Sequence, residues 1–358
     1  MDKRFIIVVG DVILDRYFSG LSSRLSPEAP VPIVDNLQRR DFLGGAANVA
    51  ANISAMGEQC YLFSVIGRDK AGTKLARLAD DAGFNFRILN NIHGVPTTTK
   101  TRYIANGQQL LRFDKENTDL VEPKILEALS SEIIKLIHTN DCHALIFSDY
   151  DKGLLTQSFI SEISEACVQH HIPIIVDPKA RNFWNYERAS LFKPNNYELS
   201  KAVERFVGSH DGLQHEEIAP NPQNRLRQQA PFFDKIIAEA SFVAGKLRAE
   251  AVLVTCGIHG MKLCNAEGLI SGTPPVSPNH KLDHNTHNVD VVGAGDVVTA
   301  AMAIALSYGL PHEKQLLFAN ESAANAIKKP GTSIVDREIL TLKRSTLESF
   351  HLSAGSSI

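Results

Sequence analysis

The sequence lacks most of what would place it in several large classes of protein. Its five cysteines, at 60, 142, 167, 256 and 264, form no Cys-x-x-Cys. A disulfide scaffold is therefore not expected, and buried thiols in a reducing compartment are. No apolar run approaches the ~20 residues of a membrane helix. Phe5–Val9, which ends at Gly10, is too short for a signal peptide. The formal net charge is only −3, so no global field recruits nucleic acid or an anionic membrane. A soluble cytoplasmic protein, with neither nucleic acid nor membrane as partner, is the expectation. Gly-x-x-x-x-Gly-Lys-[Ser/Thr] is absent, so any phosphate must be held by something other than a P-loop. There is no internal repeat and no low-complexity tract.

What is present starts with 358 residues, 44% of them hydrophobic. That suffices for one large domain, or a main domain with a small attachment. The stretch 289–309 is the most informative. Gly293 and Gly295 bracket Ala294, and an almost unbroken apolar run then reaches Leu306, with Gly309 and Pro311 beyond. A segment apolar on every side reads as a buried helix with a C-terminal stop. Its first turn follows a glycine-rich loop, and the unpaired N–H groups there make an anion site. Asp296 lies in that turn. An anion cradle beside a carboxylate suits phosphoryl transfer to a hydroxyl. A plain turn feeding a core helix, with Asp296 as a first-turn charge, is the alternative for these residues alone.

Along the chain, Phe5–Val9 reads as a strand buried on both faces. Asp11 and Asp15 follow its C-terminal end, where ligands bind in open parallel sheets. Residues 16–43 carry Pro27, Pro30 and Pro32 and resist a helical reading. Val31–Val34 is expected as an edge or lid strand. Gly44-Gly45 opens a second glycine-led helix, ending at Gly57, with Asn48 in its first turns. Strands Tyr61–Ile66 and Phe86–Leu89 flank a helix at Leu75–Ala82. Thr97–Ala105 and Gln108–Asp114 flank Asn106-Gly107, a strong hairpin signal. Alternation resumes with helices at Pro123–Ile137, Gln157–His170, Asn196–Phe206 and Phe232–Arg248. Strands are expected at Ala144–Ser148, Pro173–Val176, Ser190–Lys193 and Ala251–Thr255. A hairpin over Met261–Cys264 and Leu269–Ser271 and a helix at Glu313–Lys328 complete the pattern. Residues 207–231 read as an inserted loop, 273–288 as a polar linker and 341–358 as a polar tail.

This pattern predicts an α/β fold: a doubly wound, mainly parallel sheet with helices on both faces. The hairpin and the proline-rich strand form a small β lid. The main unit spans 1–340, with lid strands within 16–43 and 97–114. Lys100, Arg102 and Arg112 on the lid, with Lys152 and Lys179 at strand ends, are either a solvated face or the walls of a site for an anionic substrate. His280, His284 and His287 in the linker are not expected to bind metal.

The pairing of Gly44-Gly45 with Asp290-Val-Val-Gly-Ala-Gly-Asp296 resembles the PfkB (ribokinase-like) sugar kinases. Further stretches are similar to the subgroup acting on D-glycero-β-D-manno-heptose 7-phosphate. They are Gly10-Asp-Val-Ile-Leu-Asp-Arg-Tyr17, Ser23-Arg-Leu-Ser-Pro-Glu-Ala-Pro-Val-Pro32, Gly44-Gly-Ala-Ala-Asn-Val-Ala50, Gln108-Gln-Leu-Leu-Arg112, Ser148-Asp-Tyr-Asp-Lys-Gly153, Val176-Asp-Pro-Lys179 and Pro194-Asn-Asn-Tyr-Glu198. The resemblance implies an ATP-dependent kinase that phosphorylates the anomeric hydroxyl of the phosphosugar. Asp296 would be the base and Gly293, Ala294 and Gly295 the anion hole. Asp15, Gly44, Gly45 and Asn48 would hold sugar hydroxyls, with Lys100, Arg102, Arg112, Lys152 and Lys179 toward the 7-phosphate. Asn195, Glu198, Thr255, Gly257, Gly260 and Asn320 would line the nucleotide, Glu198 holding Mg²⁺ through water.

Val297 stands where the family leads us to expect threonine. His-x-Gly-His is absent, so a linked nucleotidyl transfer is expected of another protein. A homodimer through the lid is expected, because pairing would cover the lid edge. A kinase of the same fold for an unphosphorylated sugar, and a non-catalytic sugar or nucleotide sensor, are the rival readings.

Overall fold

The computed structural model describes residues 4–90, 95–139, 141–208, 230–274, 292–327 and 334–335. Most of 207–231, the linker histidines, Asp290 and the tail 341–358 lie outside the described residues. In chain order the elements are β1 (Phe5–Gly10), β2 (Val12–Leu25), β3 (Pro32–Gly45), α1 (Ala46–Ala55), β4 (Gln59–Ile66), α2 (Lys70–Ala82) and β5 (Asn85–Asn90). The lid strands β6 (Thr99–Ala105) and β7 (Gln108–Lys115) follow, then α3 (Pro123–Ile137), β8 (Cys142–Ser148), α4 (Gln157–Gln169), β9 (Ile174–Asp177) and β10 (Leu191–Phe192). The chain continues through α5 (Asn196–Gly208), α6 (Ala230–Leu247), β11 (Ala251–Thr255), β12 (Met261–Asn265), β13 (Gly268–Thr273), α7 (Ala294–Ser307) and α8 (His312–Ala326).

The main sheet has nine strands in the order β13-β12-β11-β10-β9-β8-β1-β4-β5. Its strands pair in parallel except for the antiparallel edge formed by β11, β12 and β13. Alternation along β1 shows why both faces are covered. Ile6 and Val8 pack with α1 and α7 residues on one side, while Phe5, Ile7 and Val9 pack with α3 and α4 residues on the other. Because successive side chains point to opposite faces, a continuous apolar run must be buried twice. The small-residue helices α1 and α7 pack on each other, and α7 also meets β8, β9 and α8. A helix enclosed in this way can be apolar all round.

Strand order reverses between β8 and β1, so the crevice of a doubly wound sheet opens at their C-terminal ends. Over it stands a second sheet, ordered β3-β2-β6-β7. Here the structure corrects the sequence reading. The lid has four strands, and β2 and β3 are each 14 residues long. Asp15 lies inside β2 instead of a loop, and Gly44-Gly45 ends β3 before α1 begins. The turn Asn106-Gly107 is as expected, with φ of 51° and 81°. The Asn106 side chain ties the hairpin to β2 by bonds to the Ser22 amide (3.2 Å) and carbonyl (2.6 Å).

Candidate active site

The two glycine-led helices meet through one hydrogen bond. Asn48, in the first turn of α1, donates from Nδ2 to Oδ2 of Asp296 in the first turn of α7, at 2.8 Å. Asp296 is only 5% exposed, so it faces the crevice and not solvent. Gly293 caps α7 with φ 85° and no side-chain hydrogen bond. Its left-handed conformation suits glycine and leaves the first-turn amides uncovered by a capping side chain. The glycine at 45 is equally constrained. Its φ is 60°, and a Cβ there would come within 2.5 Å of the Asp11 carbonyl oxygen. At Gly44 a Cβ would meet Asp15 Oδ2 at 2.3 Å, so the paired glycines make room for that carboxylate.

Residues from the ends of β8, β9 and β10 complete the surroundings of Asp296. Tyr150 donates its phenol hydroxyl to Asp296 Oδ1 at 2.6 Å. Asp177 accepts from Thr299 Oγ1 at 3.1 Å and pairs with Lys193 Nζ at 3.0 Å. Lys193 is 3% exposed, and its Nζ lies 3.7 Å from where a Gly295 Cβ would stand. The glycine turn thus has a buried ammonium beside it. Burial, with the charge of Asp177, pushes the Asp296 carboxyl up to about 6, against the hydrogen bonds of Tyr150 and Asn48. Asp11 is likewise raised to about 6, by burial and by Asp149. Its Oδ2 accepts from the Tyr150 and Lys152 amides and so shapes the 149–153 turn.

The lid cations share a face. In the lid registers Asp15 lies opposite Lys100, Lys100 opposite Asp114, and Arg102 opposite Arg112. Directly paired residues point the same way. Arg102 forms a buried ion pair with Asp15 at 2.6 Å. Arg112 pairs with Asp114 at 3.1 Å, and Lys152 with Glu116 at 2.9 Å. Lys100 is held below its ordinary pKa by burial, and Lys152 and Arg112 add to that while Asp15 and Asp114 oppose it. Lys100 and Lys179 approach the Tyr150 ring at 5.9 and 5.6 Å. The five cations therefore do gather. Four of them, Arg102, Arg112, Lys152 and Lys179, do so with a carboxylate already attached, which the sequence reading did not anticipate.

A match to the model of the pfkB family carbohydrate kinases spans residues 3–339. The chain belongs to the pfkB family. Among pfkB relatives, it is 36% identical to the D-beta-D-heptose 7-phosphate kinase of Bordetella bronchiseptica, over 92% of this chain and 93% of that one. It is 34% identical to the bifunctional protein HldE of Pseudomonas aeruginosa over 93% of this chain, which spans 62% of that longer protein. In fold it is similar to phosphofructokinase-2 of Escherichia coli, with a TM-score of 0.69, 18% identity, and coverage of 96% and 99%. Ribokinase of Arabidopsis thaliana, complexed with ribose and ATP, gives a TM-score of 0.63 at 20% identity, covering 95% and 98%.

On the other flank of the pfkB crevice, Asn195 and Glu198 cap α5 reciprocally. The Glu198 amide donates to Asn195 Oδ1 at 2.8 Å, and the Asn195 amide donates to Glu198 Oε2 at 2.9 Å. This is a capping box. The other Glu198 oxygen takes Lys179. Burial works against the Lys179 ammonium, but Asp177 and Glu198 outweigh it and hold its pKa above the ordinary value. Asn195 bridges to Thr255. Beyond Thr255, Gly257 (φ 55°) and Gly260 (φ 80°) shape the turn into β12. Asn320 lies half-buried on α8, which packs on α7 and β13. Tyr150, Asp177, Lys193 and Thr299 were not singled out from the sequence as site residues. Their signal was position: the first three lie at or just past the C-terminal ends of parallel strands.

Among the described residues no group of three His, Cys, Asp or Glu could hold a metal. With both Glu198 oxygens engaged, the donor set fits an ion held mainly by phosphate oxygens and water, as Mg²⁺ prefers. Nor is any described helix long and apolar enough to cross a membrane.

Proposed function

We propose that this pfkB-family kinase transfers the γ-phosphoryl group of ATP to the anomeric hydroxyl of D-glycero-β-D-manno-heptose 7-phosphate, giving the 1,7-bisphosphate. The observation that carries the reading is the buried Asp296 carboxylate, held by Asn48 at the lip of the Gly293–Gly295 turn. The similarity to the Bordetella heptose kinase supports the choice of sugar, as does the gathering of Lys100, Arg112, Lys152 and Lys179, which suits a phosphorylated substrate.

In this reading Asp15, Gly44, Gly45 and Asn48 receive the sugar hydroxyls. Arg102 acts through Asp15, orienting the carboxylate it pairs with. Asp296 accepts the proton of the anomeric hydroxyl as that oxygen attacks the γ-phosphorus in line and the bond to the ADP oxygen breaks. The amides of Gly293, Ala294 and Gly295, with Lys193 beside them, face the charge on the moving phosphoryl group. Asn195, Glu198, Thr255, Gly257, Gly260 and Asn320 line the nucleotide. Glu198 would hold Mg²⁺ through water, and the bound ion would supply charge neutralisation on the phosphates.

The lid face opposite Asp15 carries Phe18 stacked on Tyr103 at 5.1 Å, with Leu111 58% and Phe113 59% exposed. That apolar strip supports a homodimer formed lid to lid. An ATP-consuming enzyme whose five cysteines are all free and buried fits the cytoplasm. The test is ATP turnover by an Asp296→Asn variant with heptose 7-phosphate. Its kcat should fall at least about 10³-fold, with ATP affinity nearly unchanged. Wild-type-like turnover would remove the base assignment.

A further inference from the structure

We propose that Tyr150 is a positioning residue that fixes the Asp296 carboxylate for proton abstraction and ties it to the lid. The inference rests on Asp296 being the base. Two donors grip that carboxylate, Asn48 on Oδ2 at 2.8 Å and the Tyr150 hydroxyl on Oδ1 at 2.6 Å. Clamping one oxygen from each side fixes the plane of the group and leaves each oxygen with a further lone pair for a sugar hydroxyl. Asn48 alone could not do this, because the carboxylate could swing about a single hydrogen bond.

Tyr150 is itself held. Its amide donates to the buried Asp11 at 3.0 Å, and its ring is approached by two cations of different origin. Lys100 comes from lid strand β6 and Lys179 from the end of β9, at 5.9 and 5.6 Å from the ring centre. A cation near an aromatic face is attracted to it. The base and two of the charges suited to a phosphate thus share one side chain.

The charged groups that bear on Asp296 come from several elements. Asp177 and Lys179 stand at the end of β9, Lys193 after β10 and Tyr150 after β8. Asp15 of the lid acts on Tyr150. Facing it from α1 is the neutral Asn48. Asp177 opposes ionisation of Asp296, whereas Lys193, Asn48 and Tyr150 favour it. Removing the phenol hydroxyl takes away a donor to the charged form, so the carboxyl must titrate higher.

The experiment is ¹³C NMR titration of the Asp296 carboxyl in full-length protein labelled at aspartate, assigned with Asp296→Asn. Tyr150→Phe should raise the titration midpoint by about one pH unit and lower kcat at neutral pH about 10-fold, with KM for ATP unchanged. A monofluorotyrosine at 150, a stronger donor of nearly the same size, should move the midpoint down. Midpoints unchanged in both variants would overturn the proposal. So would a shifted midpoint in Tyr150→Phe with wild-type kcat once the carboxyl is ionised. The NMR arm needs no sugar. A shifted midpoint in an enzyme inactive on heptose 7-phosphate would therefore strike the substrate assignment and leave the Tyr150 arm standing.

Discussion

At Asp296, burial and the neighbouring Asp177 raise the carboxyl from its ordinary 3.8 to about 6. The folded chain therefore keeps a proton that the unfolded chain has already lost between about pH 4 and pH 6. Stability contributed at this position is present below that window and declines as pH rises through it. One pKa unit corresponds to about 1.4 kcal/mol, so the loss is at most about 3 kcal/mol. Asp296→Asn removes the titration, and its stability from urea unfolding should fall less between pH 4 and 7 than that of wild type. An equal slope in the two proteins would count against a raised carboxyl. Arg102 makes the converse case. Arg102→Ala takes the Arg102 ion pair away from the buried Asp15, and removing one side of a buried pair costs about 3–5 kcal/mol. The doubly substituted Asp15→Ala/Arg102→Ala should recover part of that loss. Asp296, Asn48 and the paired glycines were legible in the sequence because glycine-led helix starts are local. Tyr150, Asp177 and Lys193 were not. Whether they reach Asp296 depends on β8, β9 and β10 lying side by side, and no residue within those segments records that order.

At the scale of elements, the strands of the main sheet were legible because being buried on both faces demands continuous apolar runs. The lid was not. β3 reads Pro-Ile-Val-Asp-Asn-Leu-Gln-Arg-Arg-Asp-Phe-Leu-Gly-Gly, and its middle is exposed on both faces. A strand standing away from the core has no apolar alternation to betray it, so a 14-residue strand looked like four residues and a loop. The two-residue β10, which falls within the strand expected at Ser190–Lys193, delivers Lys193, Pro194 and Asn195. Two substitutions test the element ends. Gly45→Ala forces alanine to φ 60° with its Cβ 2.5 Å from the Asp11 carbonyl oxygen. The turn must open, lowering stability by about 1–2 kcal/mol and raising KM for the sugar more than for ATP. Asn195→Ala removes one arm of the α5 capping box and should lower stability by about 1 kcal/mol. Its kinetic defect should appear in KM for ATP. A defect confined to the sugar would misplace the nucleotide flank.

For the whole molecule, the two faces of the lid differ in chemistry. One face gathers Asp15, Lys100, Arg102 and Arg112 over the crevice. The other presents Phe18, Tyr103, Leu111 and Phe113, an apolar strip that a second lid would cover. Leu111→Glu with Phe113→Glu should convert a dimer to a monomer in light scattering, and a wild-type monomer at working concentration would dismiss that interface. The central claim is the transfer itself. The direct measurement is kcat/KM with ATP for D-glycero-β-D-manno-heptose 7-phosphate, beside fructose 6-phosphate and ribose. Turnover on the heptose phosphate should exceed that on either other sugar by at least about 100-fold and be lost in Asp296→Asn. A preference for ribose or fructose 6-phosphate, or heptose turnover that survives Asp296→Asn, would contradict it.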